Sequence, residues 1–130
     1  MRLGDLTALD IASGDRTLVF CSHVLEHIPD DRAAMRELHR VLAPGGTAIV
    51  AVPIGDGPTD EGPVSSMEER ILRFGQKDHV RLYGLDIVDR LEDSGFDIEV
   101  LSAADLPLTN LEHGKLVYRS TNHLFVGTRR

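Results

Sequence analysis

The residues best suited to chemistry fall in two short strings. The first is His23-Val24-Leu25-Glu26-His27, two imidazoles and a carboxylate close together. A neutral imidazole accepts a proton near neutral pH, which makes a histidine a natural general base. The second string is His79-Val80-Arg81-Leu82-Tyr83. In an extended segment its alternation puts His79, Arg81 and Tyr83 on one side. That side could grip an anionic or hydroxylated substrate, and it reads equally well as a solvated polar edge beside Val80 and Leu82. The first string also fits the H-x-x-E-H pattern by which some hydrolases hold zinc. That pattern needs both histidines on one face of a helix, with further ligands elsewhere. Here an apolar strand ends two residues before His23 and Pro29 follows two after His27. The space does not suit a long metal-binding helix, so no metal site is expected.

The elements around these strings follow from their patterning. Thr17 to Cys21 is a short apolar run, and a second run leads to Val52. Such runs, bounded by turn residues, suit strands covered on both faces. Between them Ala34, Leu38, Val41 and Leu42 make one helical stripe, with Asp30 placed to cap its start. Pro44 and Gly45 suit the two central positions of a type II turn. The whole reads as strand, helix and parallel strand with a right-handed crossover. Ile54 to Val64 is loop. Ser65 and Ser66 stand three residues before Glu68 and Glu69, a capping-box spacing, and Met67, Ile71 and Phe74 make a stripe behind it. A further helix is predicted from Asp86 to Ser94, with Gly95 at its left-handed end and Phe96 packing back. Strands are predicted over Ile98–Leu101 and Leu124–Thr128. The stretch from Ser102 to Asn122 is long for a bare hairpin and should carry a short helix or a substrate-facing loop, with His113 facing solvent.

Val24-Leu25-Glu26-His27-Ile28, followed by Glu37-Leu38-His39-Arg40-Val41-Leu42-Ala43-Pro44-Gly45-Gly46 and an apolar strand, resembles the middle of a class I S-adenosylmethionine-dependent methyltransferase of the type 11 kind. The resemblance extends along almost the whole chain. It implies a partial Rossmann-like α/β sheet in three layers, with strands in the order first, second, fourth, third and the last antiparallel. It also implies S-adenosylmethionine as cofactor. Gly4-Asp5-Leu6 resembles the segment where a carboxylate and the next backbone amide meet the adenine, so Asp5 and Leu6 would be cofactor contacts. Ser22 and His23, at the carboxyl end of the first strand, would sit near the methionine part. His27 and His79 are the candidate catalytic bases, and Arg81 and Tyr83 the candidate substrate contacts. One element of the family pattern is missing. No Gly-x-Gly-x-Gly occurs, although those glycines let the backbone approach the ligand closely. The sequence therefore resembles the C-terminal portion of such an enzyme. The first strand would then be an unpaired edge, a pairing risk for an apolar strand.

The composition limits the partners. With 14 basic and 21 acidic residues the net charge is −7, which argues against a broad footprint on nucleic acid or an anionic membrane. The length suits one domain over residues 1–130. A lone Cys21 excludes an internal disulfide and fits a reducing compartment. No apolar run approaches a membrane span and no signal-peptide pattern is seen, so a cytoplasmic protein is expected. Two functions are compatible with this reading. One is a methyltransferase for a small-molecule or sugar-like acceptor, incomplete alone or dependent on assembly. The other is a non-catalytic methyltransferase-like module that binds or dimerises through its open edge, as a homodimer or with a partner chain.

Overall fold

The helix starts are set by side chains that satisfy otherwise unpaired backbone N–H groups. In the computed structural model, which describes residues 4–102 and 123–130, helix α1 spans Asp31–Val41. The Asp30 carboxylate accepts the Ala33 N–H at 3.0 Å, as its position predicts. Helix α2 spans Met67–Phe74. The Ser66 hydroxyl accepts from the Glu69 N–H, and the Glu69 carboxylate accepts in return from the Ser65 N–H. Helix α3, Ile87–Asp93, ends at Gly95, whose φ is 107°. A Cβ at Gly95 would stand 2.6 Å from His39 Nε2, so space as well as backbone angle demands glycine there. Phe96 is fully buried and meets the His39 ring edge to face. The segment 103–122, with His113, lies outside the described residues.

Strand β1 is Arg16–Ser22 and strand β2 is Leu42–Ala51. They pair in parallel, with Arg16 opposite Leu42 and Leu18 opposite Thr47. β2 therefore advances from 42 to 47 while β1 advances from 16 to 18. The Pro44-Gly45 turn absorbs the difference, with Gly45 at φ 77°. A Cβ on Gly46 would meet the Ala43 carbonyl at 2.8 Å. Strands β3, Phe96–Ser102, and β4, His123–Arg129, complete a sheet in the order β1-β2-β4-β3, with β4 antiparallel to both neighbours. This is the order and direction that the family resemblance implies.

Register decides which residues share a face. Val19, Ala48, Gly127 and Ile98 lie in one cross-strand row, and Cys21, Val50, Phe125 and Val100 in another. These rows lie on the core face, where Leu38, Val41, Ile87 and Leu91 of α1 and α3 are buried, although Val100 on the edge strand β3 stays 40% exposed. Phe20, Ile49, Val126 and Glu99 form the row between them, on the opposite face. Among the described residues two layers are seen, the sheet and the α1/α3 pair. The sequence predicts β1 to be covered on both faces. In the structure it is an edge strand with Leu18 58% and Phe20 65% exposed, because its outer side has neither neighbouring strand nor covering helix among the described residues. Likewise, of the predicted α2 stripe only Phe74 is buried, and Met67 and Ile71 are exposed.

Candidate functional site

A cavity of about 570 Å³ opens beside β1, walled by the segment 4–11, by β1 and by α1. The wall is built from helix α1. Glu37 and Arg40, one turn apart, pair at 2.7 Å. The Glu37 carboxylate then accepts the Leu9 N–H at 2.8 Å, and Arg40 donates to the Leu9 and Ile11 carbonyls at 3.0 and 2.8 Å. The Arg40 hydrogen bond holds the Glu37 carboxyl below the usual range, so this clamp carries its charges at neutral pH. Leu6, Ile11, Val19, Val24 and Leu38 make the lining apolar, and Cys21 stands at its floor. Burial, reinforced by the charge of Glu26, pushes the Cys21 thiol up to about 12 and keeps it protonated and inert.

The lining fits part of S-adenosylmethionine. An apolar lining beside a polar turn suits the adenine, and Leu6 is part of it. Asp5 lies on the turn that forms the rim, where its carboxylate accepts from the backbone and hydroxyl of Thr7 at 2.8 and 2.7 Å. Those bonds lower its pKa and leave it charged. Asp10 is the one carboxylate among the lining residues. Ser22 and His23 do not line the cavity. They follow Cys21 at the carboxyl end of β1, where the His23 N–H donates to the Ala51 carbonyl. His23 has φ 55°, a left-handed conformation uncommon for a residue with a side chain.

Beyond Cys21 the chain turns through a short 3₁₀ segment, Leu25–His27, and the two sequence strings meet. The Val80 N–H donates to the Glu26 carbonyl at 2.8 Å. The rings of His27 and His79 lie edge to face, 4.7 Å apart. The candidate bases His27 and His79 are thus brought together, around the carboxylate of Glu26. His27 Nε2 is 3.7 Å and His23 Nδ1 3.6 Å from Glu26 Oε1. Glu26 itself is 2% exposed.

The other members of the second string have a different fate. His79, Arg81 and Tyr83 are all turned inward, at 5%, 3% and 0% exposure, so they form neither a rim nor a solvated edge. Arg81 donates to the carbonyls of Leu25, Ile28 and Pro29, gripping the loop that carries Glu26 and His27, and also to Glu61. The Tyr83 hydroxyl donates to Asp31 at 2.5 Å, and Arg90 bridges Asp31 and Glu61. Burial and the Asp31 bond raise the Tyr83 phenol far above its ordinary range. The cause of the difference is that Arg81 can satisfy three loop carbonyls that have no strand partner, which rewards burial over exposure. Reading the sequence alone passes over Glu37, Arg40, Asp31, Glu61 and Arg90. Only the Glu37–Arg40 spacing offered a local signal.

Known proteins resemble this chain in sequence and in fold. The family profile described as "Methyltransferase domain" matches residues 1–50. A Mycolicibacterium smegmatis protein named "Probable S-adenosylmethionine-dependent methyltransferase" is 28% identical over 120 residues, covering 88% of this chain and 43% of its own length. Among solved structures, the Haloferax volcanii methyltransferase in complex with the Trm112 activator superposes with a TM-score of 0.65 at 20% identity, over 97% of this chain and 59% of that one. Haemonchus contortus phosphoethanolamine N-methyltransferase 2, in complex with phosphomonomethylethanolamine and S-adenosylhomocysteine, gives 0.62 at 19% identity, over 96% of this chain and 36% of that one. The chain thus spans less than half of the curated relative and about a third to three fifths of these two structures. By its motifs, its strand order and these likenesses, the chain is similar to the S-adenosylmethionine-dependent methyltransferases, by family profile over residues 1–50, and it shares the Rossmann-like fold of the solved structures.

Proposed function

We propose that this chain forms the adenine-binding and acceptor side of a methyltransferase acting on a small-molecule or sugar-like acceptor in the cytoplasm. The observation that carries this reading is the cavity between segment 4–11, β1 and α1, with His27 and His79 beyond the carboxyl end of the same strand. Ligands of open α/β sheets bind at that end. When bound, S-adenosylmethionine supplies a methyl group on a sulfonium, an electrophile that needs little more than a well-placed nucleophile. Leu6 would cover the adenine, with Asp5 at its edge, and Ser22 and His23 would approach the methionine end. His27 or His79 would take the acceptor's proton. Arg81 and Tyr83 would act on the acceptor through the loop that they hold.

The exposed edge of β1 supports a second part of the proposal. Leu18 and Phe20 suit burial against another segment, whether from a second copy of this chain, from a partner chain or from further sequence of the same polypeptide. The activator bound to the Haloferax volcanii protein offers a precedent for a methyltransferase that works in a complex. In this reading the ribose contacts, and the methionine contacts beyond Ser22 and His23, come from that segment. The alternative, a non-catalytic module that uses the edge for association, rests on the same exposure. No described helix is long and apolar enough to cross a membrane.

Calorimetric titration of the 130-residue chain with S-adenosylmethionine, paired with light scattering, tests both parts. Binding weaker than about 100 μM by a monomer, and tighter binding once a partner is supplied, is the expected result. Micromolar affinity in a clean monomer would sink the shared-site reading. Absence of binding in every assembled form would favour the non-catalytic module.

A further inference from the structure

Glu26, His27 and His79 have a geometry that methyl transfer does not require. One ligand-type atom from each lies within 4.8 Å of the others. Both Glu26 carboxylate oxygens are buried and accept no hydrogen bond among the described residues. A buried carboxylate without donors is costly unless a cation or a proton sits against it. Both rings are anchored by backbone carbonyls. His79 Nδ1 is 2.9 Å from the Phe74 carbonyl, and His27 Nδ1 is 3.2 Å from the Asp78 carbonyl. A carbonyl can only accept, so each Nδ1 carries the hydrogen and each Nε2 carries the lone pair. This backbone-anchored tautomer is the usual outer shell of a metal-bound histidine.

We propose that Glu26, His27 and His79 bind a divalent transition-metal ion of the zinc type through one carboxylate oxygen and two imidazole nitrogens. Two imidazoles and a carboxylate suit zinc, and also iron(II) or cobalt(II). A tetrahedral ion with bonds of about 2.0–2.2 Å spaces its ligand atoms about 3.4 Å apart. The His27–Glu26 separation of 3.7 Å is already close to that, and the wider pairs need a movement of about an ångström. Entry is available because the His27 side chain is 31% exposed. His23, whose Nδ1 also faces Glu26 Oε1, stands on the same open side. The long helix that the H-x-x-E-H pattern demands is not needed, because the third ligand comes from a segment about fifty residues away and Arg81 ties the two segments together. Three protein ligands leave a position for water or an acceptor oxygen, and an ion held there would replace the free imidazoles of His27 and His79 in easing the loss of the acceptor's proton. That last role rests on the methyltransferase reading. The binding itself does not.

The test titrates the chelator-stripped chain with Zn²⁺ by calorimetry, and with Co²⁺ by visible absorption. The expected result is one equivalent bound with micromolar or tighter affinity, and a cobalt spectrum of four- or five-coordinate intensity without a thiolate charge-transfer band. Glu26→Gln and His79→Gln should each weaken zinc at least tenfold, whereas His39→Ala, outside the cluster, should not. If a variant fails to fold, the imidazole ¹⁵N signals of the unaltered chain decide. Those of His27 and His79 should shift together with one equivalent of Zn²⁺. No stoichiometric binding, unchanged affinity in folded Glu26→Gln, or shifts confined to other histidines would each overturn the assignment. Because cofactor is absent from every arm, failure here leaves the methyltransferase reading untouched.

Discussion

Two buried carboxylates a few residues apart have opposite surroundings. Asp31 is 4% exposed and is held by the Tyr83 hydroxyl and the Arg90 guanidinium, with Arg81 close by. Glu26 is 2% exposed, and its carboxylate accepts no hydrogen bond among the described residues. Asp31 has the donor set of a structural anchor, because every charge placed around it has a protein partner. Glu26 has histidine nitrogens near it at more than hydrogen-bonding distance, and no donor directed at it. A fold tolerates such a group where something else completes it. The contrast separates scaffold from site more clearly than burial does, since the two are almost equally buried.

Removing the anchor should have the largest effect. Asp31→Ala leaves Arg90 and the Tyr83 hydroxyl without their partner and should destabilise the chain by about 3–5 kcal/mol. Urea denaturation measures it, and a loss below about 1 kcal/mol would mean that Asp31 is no anchor. The matching change on the other side should have the opposite sign. Glu26→Gln keeps the shape, removes a charge that no protein group accepts, and should raise the stability of the metal-free chain by up to about 1 kcal/mol. A clear loss would show that Glu26 is already partnered, and the contrast with Asp31 would fail.

The smallest effect concerns acid. Glu61 belongs to the Asp31 side, and the hydrogen bond from Arg90 holds its carboxyl down at about 2, from an ordinary 4.5. A depressed pKa stabilises the fold above the unfolded value. Its contribution is complete above about pH 4.5 and disappears as pH falls towards 2. Glu61 is 42% exposed, so solvent screens much of this pair. Glu61→Gln should therefore flatten the stability curve modestly between pH 4.5 and 2 and leave it unchanged in slope above pH 6. An unchanged acid limb in the variant would remove Glu61 from the scaffold.

Much of the architecture was legible in the sequence because its signals are local. Asp30, Ser66 and Gly95 mark helix ends by the hydrogen-bonding capacity of one side chain or by the absence of one. The apolar stripe of α1 and the Pro44-Gly45 turn are likewise written within a few residues. The strand order also followed, through the family resemblance and not through any local rule. By itself, then, the sequence determined elements, caps and turn, together with the residue types available for chemistry.

What it could not determine were the exposures and the pairings across long separations. The alternation of His79, Arg81 and Tyr83 says that they share a side, and only the tertiary structure says that this side faces in, because the carbonyls that reward Arg81 belong to residues more than fifty positions earlier. The apolar run of β1 has the same composition whether one face or two are covered, and the neighbours decide that Leu18 and Phe20 are open. His27 and His79 were recognised separately as bases. Their meeting over an unpartnered Glu26 depends on a turn after β1, a hydrogen bond from Val80 and a guanidinium clamp, none of which any short window of sequence contains.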